Sequence, residues 1–379
     1  MKKPIRLLKR REENLRGHKY IISGGGTGGH IFPALAIANA LMENNPANEI
    51  LFVGAEGRME MEKIPAAGYR IIGLPITGIQ RSLSLSNLSF PYKLIKSLWQ
   101  AGKIISSFKP DAVIGVGGYA SAAIVYAASL KKIPTLIQEQ NSYAGLTNKI
   151  LSKKAKRICV AFEGMEKYFP SDKITITGNP VRSEILDIKN IDRQEAKQLI
   201  GLNPNKRTLL VIGGSLGART INTSVQAGLE TLAKNDIQVI WQTGKFGYDP
   251  ARAAGFENAR VFDFIKDMSG AYAAADAVIS RAGAISVSEL CIAGKACILV
   301  PSPNVAEDHQ SKNAFALVNK NAALMIKDSD AENTLINQAI ELLNDAPKRD
   351  ILAGNISALA KPYATKLIIE EINKLTLDS

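Results

Sequence analysis

Histidine and cysteine are scarce in this 379-residue chain, with three of each. His18, His30 and His309 are widely separated and no H-E-x-x-H occurs, which argues against a zinc enzyme. Cys159, Cys291 and Cys297 lie in or beside apolar stretches with no C-x-x-C pair. That is the usage of reduced, buried thiols in a cytoplasmic protein rather than of a disulfide framework. No apolar run reaches the ~20 residues a spanning helix needs; the longest, 120–130, stops at Lys131-Lys132. The N-terminus has no apolar segment followed by a small-residue cleavage site, so it does not read as a secretory signal. The nucleotide motif G-x-x-x-x-G-K-[ST] is missing as well: Gly244-Lys245 and Gly294-Lys295 lack the following hydroxyl residue, which disfavours a P-loop ATPase.

What is present is basic and unevenly spread. Residues 1–180 carry 25 Lys and Arg against 12 Asp and Glu, a net of +13, whereas residues 181–379 carry 22 against 23, a net of −1. The first 19 residues alone hold 8 basic and 2 acidic groups. A basic half calls for an anionic partner, whether nucleic acid, phosphorylated substrate or membrane surface, and a solvated tail is the plain alternative for residues 1–19. At this length two domains are expected.

Short β-branched runs alternate with longer helical patterns along the chain. Strands are predicted at 20–23, 50–53, 70–74, 112–116, 135–138, 157–160 and 173–177, then at 208–212, 238–242, 260–262, 277–280, 297–300 and 323–326. Strands apolar on both faces and separated by helices indicate parallel sheets covered on each side. The pattern starts twice, at Tyr20-Ile-Ile-Ser-Gly-Gly and at Leu209-Leu-Val-Ile-Gly-Gly, and the polar stretch 186–204 reads as a linker. Two doubly wound domains follow, whose glycine loops would face a cleft at the carboxyl ends of the strands. The expected division is a basic extension 1–19, a first domain 20–182, a second domain 183–357, and a closing helix, about 358–379, packing back on the first.

Four segments carry chemistry. Gly24-Gly-Gly-Thr-Gly-Gly29 is a literal G-x-G-x-x-G between strand and helix, where glycines admit close approach and the helix N-terminus offers N–H groups to a diphosphate. With Glu56 near the end of the second strand it fits a dinucleotide site, and equally a structural turn; His30 enters the helix's first turn, where its ring can face a ligand. Gly115-Val-Gly-Gly-Tyr-Ala-Ser121 repeats the arrangement. Gly213-Gly-Ser-Leu-Gly217 reads either as a phosphate loop or as a G-x-S-x-G nucleophile elbow, with Asp276 or Asp308 and His309 completing a hydrolase. In Arg281-Ala-Gly-Ala-Ile-Ser-Val-Ser-Glu289, Ser286 and Glu289 have capping-box spacing, and the same helix start could hold a nucleotide diphosphate with Glu289 on the ribose. Asp328-Ser-Asp330 is read as capping by Asp330 and not as a metal site. Between 77 and 108, apolar Ile79, Leu83, Leu85, Leu88 and Phe90 sit among serines. A helix follows in which Leu94, Leu98 and Ile105 alternate with Lys93, Lys96 and Lys103, a composition suited to an anionic bilayer or to an ordinary half-buried helix.

The ordered set GGGTGGHIFPALAIA, GVGGYAS, QEQNSYAGLTNK, GNPVR, GGSLGAR, FIKDM, RAGAISVSEL and AEDHQSKNA resembles the MurG family over nearly the whole chain after residue 19. The resemblance implies an α/β GT-B glycosyltransferase fold, two doubly wound Rossmann-like domains with parallel sheets facing across a cleft. It implies inverting transfer of N-acetylglucosamine from UDP-N-acetylglucosamine to the C4 hydroxyl of undecaprenyl-diphosphate-linked muramyl pentapeptide (lipid I), giving lipid II for peptidoglycan. It further implies that the donor meets Thr27, Gly28, Gly29 and Asn141, with Arg182 and Ser215 on its diphosphate and Ile265 at the uracil. Ala284, Ile285, Ser286, Val287 and Ser288 would line the phosphates, Glu289 would hold the ribose and Gln310 the sugar hydroxyls. The acceptor diphosphate would use Gly25, Gly26, Gly117, Gly118 and Tyr119, and Ile79, Leu83, Leu85, Leu88, Phe90, Lys93 and Lys96 would meet the membrane. The general base expected for a sugar hydroxyl nucleophile is His30 or Glu139. No metal and no cofactor is implied, since helix N-termini and Arg182 can take the leaving diphosphate. The implied partners are the donor, lipid I, the anionic cytoplasmic face of the cell membrane, where the protein would sit peripherally, and cell-wall and division proteins, without nucleic acid. Residues 1–19 are extra to the family pattern. The competing readings are an NAD-type oxidoreductase, a Ser215 hydrolase and a non-enzymatic membrane-binding module.

Overall fold

A computed structural model of the chain describes residues 17–76, 90–245 and 255–377. Thirteen strands are present among them, at the places that the apolar runs predict, in one sheet of seven and one of six. The chain divides into two compact units: residues 1–180 with 363–379, and residues 181–362. Ile79, Leu83, Leu85 and Leu88, and residues 1–16 of the basic extension, lie outside the described residues.

In the first unit the strands are β1 (Lys19–Gly24), β2 (Glu49–Ala55), β3 (Arg70–Leu74), β4 (Ala112–Gly117), β5 (Thr135–Glu139), β6 (Arg157–Val160) and β7 (Ile174–Ile176). They pair in the order β3-β2-β1-β4-β5-β6-β7, every pair parallel. The order reverses between β1 and β4, so the crevice of this sheet opens where the first two glycine loops leave it. The helices are α1 (Gly28–Asn44), α2 (Glu60–Ala66), α3 (Phe90–Phe108), α4 (Tyr119–Leu130) and α5 (Leu146–Ser152). Alternation along the strands sorts side chains to two cores. Ile21, Val113, Ile137 and Ile158 face α3, α4 and α5. Tyr20, Ile22, Ile114, Leu136 and Cys159 face α1 and the C-terminal helix Ala364–Leu377. That last helix also buries Glu371, which lies 3.6 Å from Arg157 and 2.6 Å from Lys374.

Of the two readings of α3, the ordinary half-buried helix is the one its packing supports. Leu94 and Leu98 pack against the core and Ile105 is buried within it. The outward apolar residues are Tyr92 (69% exposed), Ile95 (68%) and Trp99 (60%), beside exposed Lys96. Lys103 places its ammonium 3.5 Å from the centre of the Trp99 ring. Both stripes recur at helical spacing, so periodicity alone could not say which one the sheet would cover.

The second unit contains β8 (Arg207–Ile212), β9 (Ile237–Gln242), β10 (Ala259–Phe262), β11 (Ala277–Ser280), β12 (Cys297–Leu299) and β13 (Leu324–Met325). Its parallel order is β10-β9-β8-β11-β12-β13, with the reversal between β8 and β11. Helices α6 (Ser183–Leu186), α7 (Arg193–Leu199), α8 (Arg219–Lys234), α9 (Met268–Ala274), α10 (Ala284–Ala293), α11 (His309–Val318), α12 (Ala331–Asn344) and α13 (Ala346–Ala358) surround it. Leu209, Val211, Val239, Trp241 and Ile279 pack with α8 and α12.

The stretch 186–204 is not a linker. Ile188, Ala196 and Leu202 are buried, and Asp192 caps α7 by accepting the Glu195 N–H at 2.9 Å. The Lys197 ammonium, itself buried, lies 3.0 Å from Asp276, which also holds Arg193 at 2.9 Å. The D-x-x-E spacing of 192–195 was the available signal. Asp330, predicted to cap α12, makes no side-chain cap hydrogen bond; it is Asp328 that is engaged, by Arg281 and Thr220.

Burial pushes the thiols of Cys159 and Cys297 far up and that of Cys291 to about 12, from an ordinary 9.0. Above pH 9 the unfolded chain loses these protons while the folded chain keeps them, so stability falls as pH rises. Lys295 opposes this: burial lowers it from 10.5 to about 8, so between those values the unfolded chain binds the extra proton and stability rises. Three thiols outweigh one ammonium. The expected net loss between pH 9 and 10 is on the order of 2 kcal/mol, read as a falling urea midpoint, and the fall should be shallower in the C159A/C291A/C297A variant.

Candidate active site

In the first unit both glycine loops end strands that flank the sheet reversal, and they touch. The Gly25 N–H donates to the Gly117 carbonyl at 3.3 Å. A β-carbon on Gly118 would lie 2.7 Å from the Gly25 oxygen, and one on Gly117 would lie 2.7 Å from His30 Nε2. Gly117 and Gly118 also hold φ of 109° and 91°, values that L side chains rarely adopt. The loops thus bring the N-termini of α1 and α4 side by side, where helices leave N–H groups without intrahelical acceptors. Thr27 caps α1 without a side-chain hydrogen bond, and Thr27, Gly29 and Tyr119 are exposed.

His30 is held at 2.9 Å from the Gly25 carbonyl through Nδ1. A carbonyl can only accept, so Nδ1 carries a proton, and in the neutral form of the ring Nε2 is then the lone pair. Glu139, the other expected base, is placed differently. It is buried, and its Oε1 accepts from the backbone and side-chain N–H groups of Asn141 while Oε2 accepts from Gly145 and Asn148, at 2.9–3.3 Å. Four hydrogen bonds make it the organiser of the loop after β5, with Asn141 in its grip. Glu56, the acid expected for a dinucleotide, is exposed. The carboxylate that enters the glycine loop is Glu60, which accepts the Gly26 N–H at 2.9 Å. The Gly25 and Gly26 amides are therefore both engaged within the protein.

In the second unit the loops after β8 and β11 flank the reversal of that sheet. Ser215 is exposed on the first, where left-handed backbone falls on Gly214 and Gly217 and not on the serine. A nucleophile elbow requires the strain at the serine itself. Asp276 precedes β11 at the opposite end of the sheet, and His309 Nδ1 meets the Ala306 carbonyl at 2.8 Å. The hydrolase constellation is not assembled.

The loop after β11 leads into α10, capped by Gly283 without a side-chain bond. Ser286 sits one turn inside, so the capping-box reading fails. Ile285, Ser286 and Ser288 are half-buried, and Ala284 and Val287 buried. Glu289 faces inward and is 3% exposed. Arg182 Nε lies 3.3 Å from its Oε1, and the Tyr272 hydroxyl donates to Oε2 at 3.4 Å. Burial pushes the Glu289 carboxyl above its usual range, against the pull of Arg182 and Tyr272. Its Oε1 is buried with the cation nearby yet accepts no hydrogen bond among the described residues, an unmet acceptor in a place where buried polar atoms are normally paired. Arg182, expected at the end of the first domain, lies in the second unit, as does Glu289. The Ile265 N–H donates to Gln242 at 2.9 Å, and Gln310 accepts the Ser302 N–H at 2.9 Å. Before α11, Glu307 and Asp308 hold φ of 54° and 50°. Among the described residues no group of three or more His, Cys, Asp or Glu is placed to hold a metal ion.

The Glycosyltransferase family 28 N-terminal domain model matches residues 20–160, and the Glycosyltransferase family 28 C-terminal domain model residues 208–368. The chain is 58% identical over 355 residues, 94% of its length and 96% of the other's, to a Cytophaga hutchinsonii protein. That protein is named UDP-N-acetylglucosamine--N-acetylmuramyl-(pentapeptide) pyrophosphoryl-undecaprenol N-acetylglucosamine transferase. A Bacteroides fragilis protein of the same name is 54% identical over 379 residues, 97% of this chain and all of that one. The crystal structure of Acinetobacter baumannii MurG superposes with a TM-score of 0.75 at 29% identity, covering 94% of this chain and 99% of that one.

Substitution of Gly117 by alanine should drive a β-carbon into His30 and strain the loop. The expected cost is about 2 kcal/mol of stability in urea unfolding, with a shifted His30 ring signal in NMR.

Proposed function

The chain belongs to the MurG family of family 28 glycosyltransferases, and on that premise we propose that it transfers N-acetylglucosamine from UDP-N-acetylglucosamine to the C4 hydroxyl of lipid I with inversion, giving lipid II. The observation that carries this reading is the division of chemistry between the two switch-point sites. The first unit offers a histidine lone pair beside two helix N-termini. The second offers a buried carboxylate with an open acceptor, paired to an arginine at the start of a helix.

The steps follow from those parts. The diphosphate of the acceptor lies against the first turns of α1 and α4, with Gly117, Gly118 and Tyr119 shaping the approach. His30 Nε2 takes the proton of the C4 hydroxyl as its oxygen attacks the anomeric carbon of the donor. The bond to UDP breaks on the opposite face, and the ring nitrogen is left protonated. The departing diphosphate is stabilised by the N-terminal turn of α10, by Ser215 and by Arg182. Glu289 holds the ribose, Ile265 borders the uracil and Gln310 meets the sugar hydroxyls, while Thr27, Gly28, Gly29 and Asn141 approach the donor. Glu139 keeps the Asn141 loop in shape and is not the base.

The dinucleotide reading loses its support, since the family is one of sugar transferases and the Gly26 N–H of the glycine loop is occupied by Glu60. No helix among the described residues is long and apolar enough to cross a membrane. The protein docks on the anionic cytoplasmic membrane surface through Tyr92, Ile95 and Trp99 with Lys96 and Lys103; Leu130 on α4 and Leu146 and Ile150 on α5 are exposed as well. Apolar side chains among ammonium groups gain from both hydrocarbon insertion and surface charge.

Turnover of UDP-N-acetylglucosamine with a synthetic lipid I analogue tests the reaction; saturable NAD binding with no response to the sugar nucleotide would sink it. His30→Ala should lower kcat at least a hundredfold with the donor KM little changed. Glu289→Ala should instead weaken UDP binding in calorimetry about tenfold or more. The I95S/W99S variant should bind vesicles containing anionic lipid several-fold more weakly in a sedimentation assay.

A further inference from the structure

Glu60 is a carboxylate that the steps above do not use. It opens α2, is 1% exposed and forms no ion pair among the described residues, an expensive state for a carboxylate unless its oxygens are hydrogen-bonded. Both are: Oε1 accepts the Ala55 N–H at 3.1 Å and Oε2 the Gly26 N–H at 2.9 Å. Two donors converging on one side chain require an acceptor at each terminal atom. A carboxylate supplies that, whereas a glutamine would turn its own NH2 toward one of them. The side chain also occupies the space that β-carbons would take at Gly25 and Gly54. A β-carbon on Gly25 would lie 2.1 Å from Oε1, and one on Gly54 2.6 Å from Cγ. Glu60 is thus wedged beneath the turn from β1 to α1, and the carbonyl of that turn, at Gly25, receives His30 Nδ1.

We propose that Glu60 is a positioning residue for the transfer reaction: it pins the Gly25–Gly26 turn so that the Gly25 carbonyl holds His30 in the Nδ1–H tautomer, with Nε2 presented as the base. The inference rests on the transfer reading for its kinetic consequence, but its structural half does not. No proton passes through Glu60. It acts by keeping one carbonyl in place, the orienting role that a carboxylate plays directly in other histidine-based catalytic groups.

Glu60→Gln, close to isosteric, tests this in the full-length protein. With 15N-labelled histidine and the His30 signal assigned from His30→Ala, long-range 1H–15N spectra of the substrate-free protein read the tautomer. Wild type should show the Nδ1–H pattern, and E60Q a mixture with the Nε2–H form. Its kcat with a lipid I analogue should fall about tenfold, the size of one lost hydrogen bond to a charged acceptor, while the KM for UDP-N-acetylglucosamine stays within twofold. An unchanged His30 pattern, or a kcat within twofold of wild type, overturns the proposal. Should E60Q not fold by circular dichroism, Gly25→Ala presses on the same contact from the other side and is judged by the same two readouts. A wild-type protein that transfers nothing would refute the transfer reading instead, while the tautomer measurement would still decide the role of Glu60 at the turn.

Discussion

Every strand of each sheet runs in the same direction, and the placement of the chemistry depends on that constraint. A parallel sheet delivers all its carboxyl-end loops to one edge, and a reversal of strand order leaves two of those loops with no helix crossing between them. In the first unit the loops after β1 and β4 occupy that opening; in the second, those after β8 and β11 do. Residues separated by about ninety positions, such as Gly25 and Gly118, become neighbours because β1 and β4 pair in parallel, with Gly24 opposite Gly117 after a one-residue register shift. His30, Arg182 and Glu289 take their meaning from these two openings.

Glycine density in such a loop is commonly taken as a sign that a ligand comes close. Here much of it answers to the protein itself. Gly25 leaves room for Glu60, Gly117 for the His30 ring and Gly118 for the Gly25 carbonyl. On the proposed reading the substrate-facing role passes to the turns just after them, where helix N-termini supply donors. The family resemblance was legible in the spelling of the loop. The division of labour within it became visible only once the second loop was seen to rest on the first.

The carboxylates make the same point from the electrostatic side. Glu56, Glu60, Glu139 and Glu289 are indistinguishable by residue type, yet one is exposed, two accept hydrogen bonds at both oxygens and one keeps an unmet, buried acceptor beside a guanidinium. Spacing drew attention to Glu56 and to a capping role at Ser286 and Glu289, and both readings failed. Glu60 passed unnoticed, since nothing in Arg58-Met-Glu60 announces that its side chain turns inward under a loop thirty-four residues earlier.

Strand positions, the doubly wound class, the two-fold start of the pattern and the family were all determined by the sequence. They rest on local properties: β-branched runs, 3.6-residue periodicity and motifs conveyed by consecutive residues. What the tertiary structure alone decided involves partners distant in the chain. Those are the outward stripe of α3, the folded state of 186–204 around Lys197 and Asp276, the meeting of Arg182 with Glu289, and the proton on His30 Nδ1. In each case two candidate faces or protonation states have similar local energies. The choice falls to burial against a sheet, or to a single acceptor that only the completed fold brings within 3 Å or so.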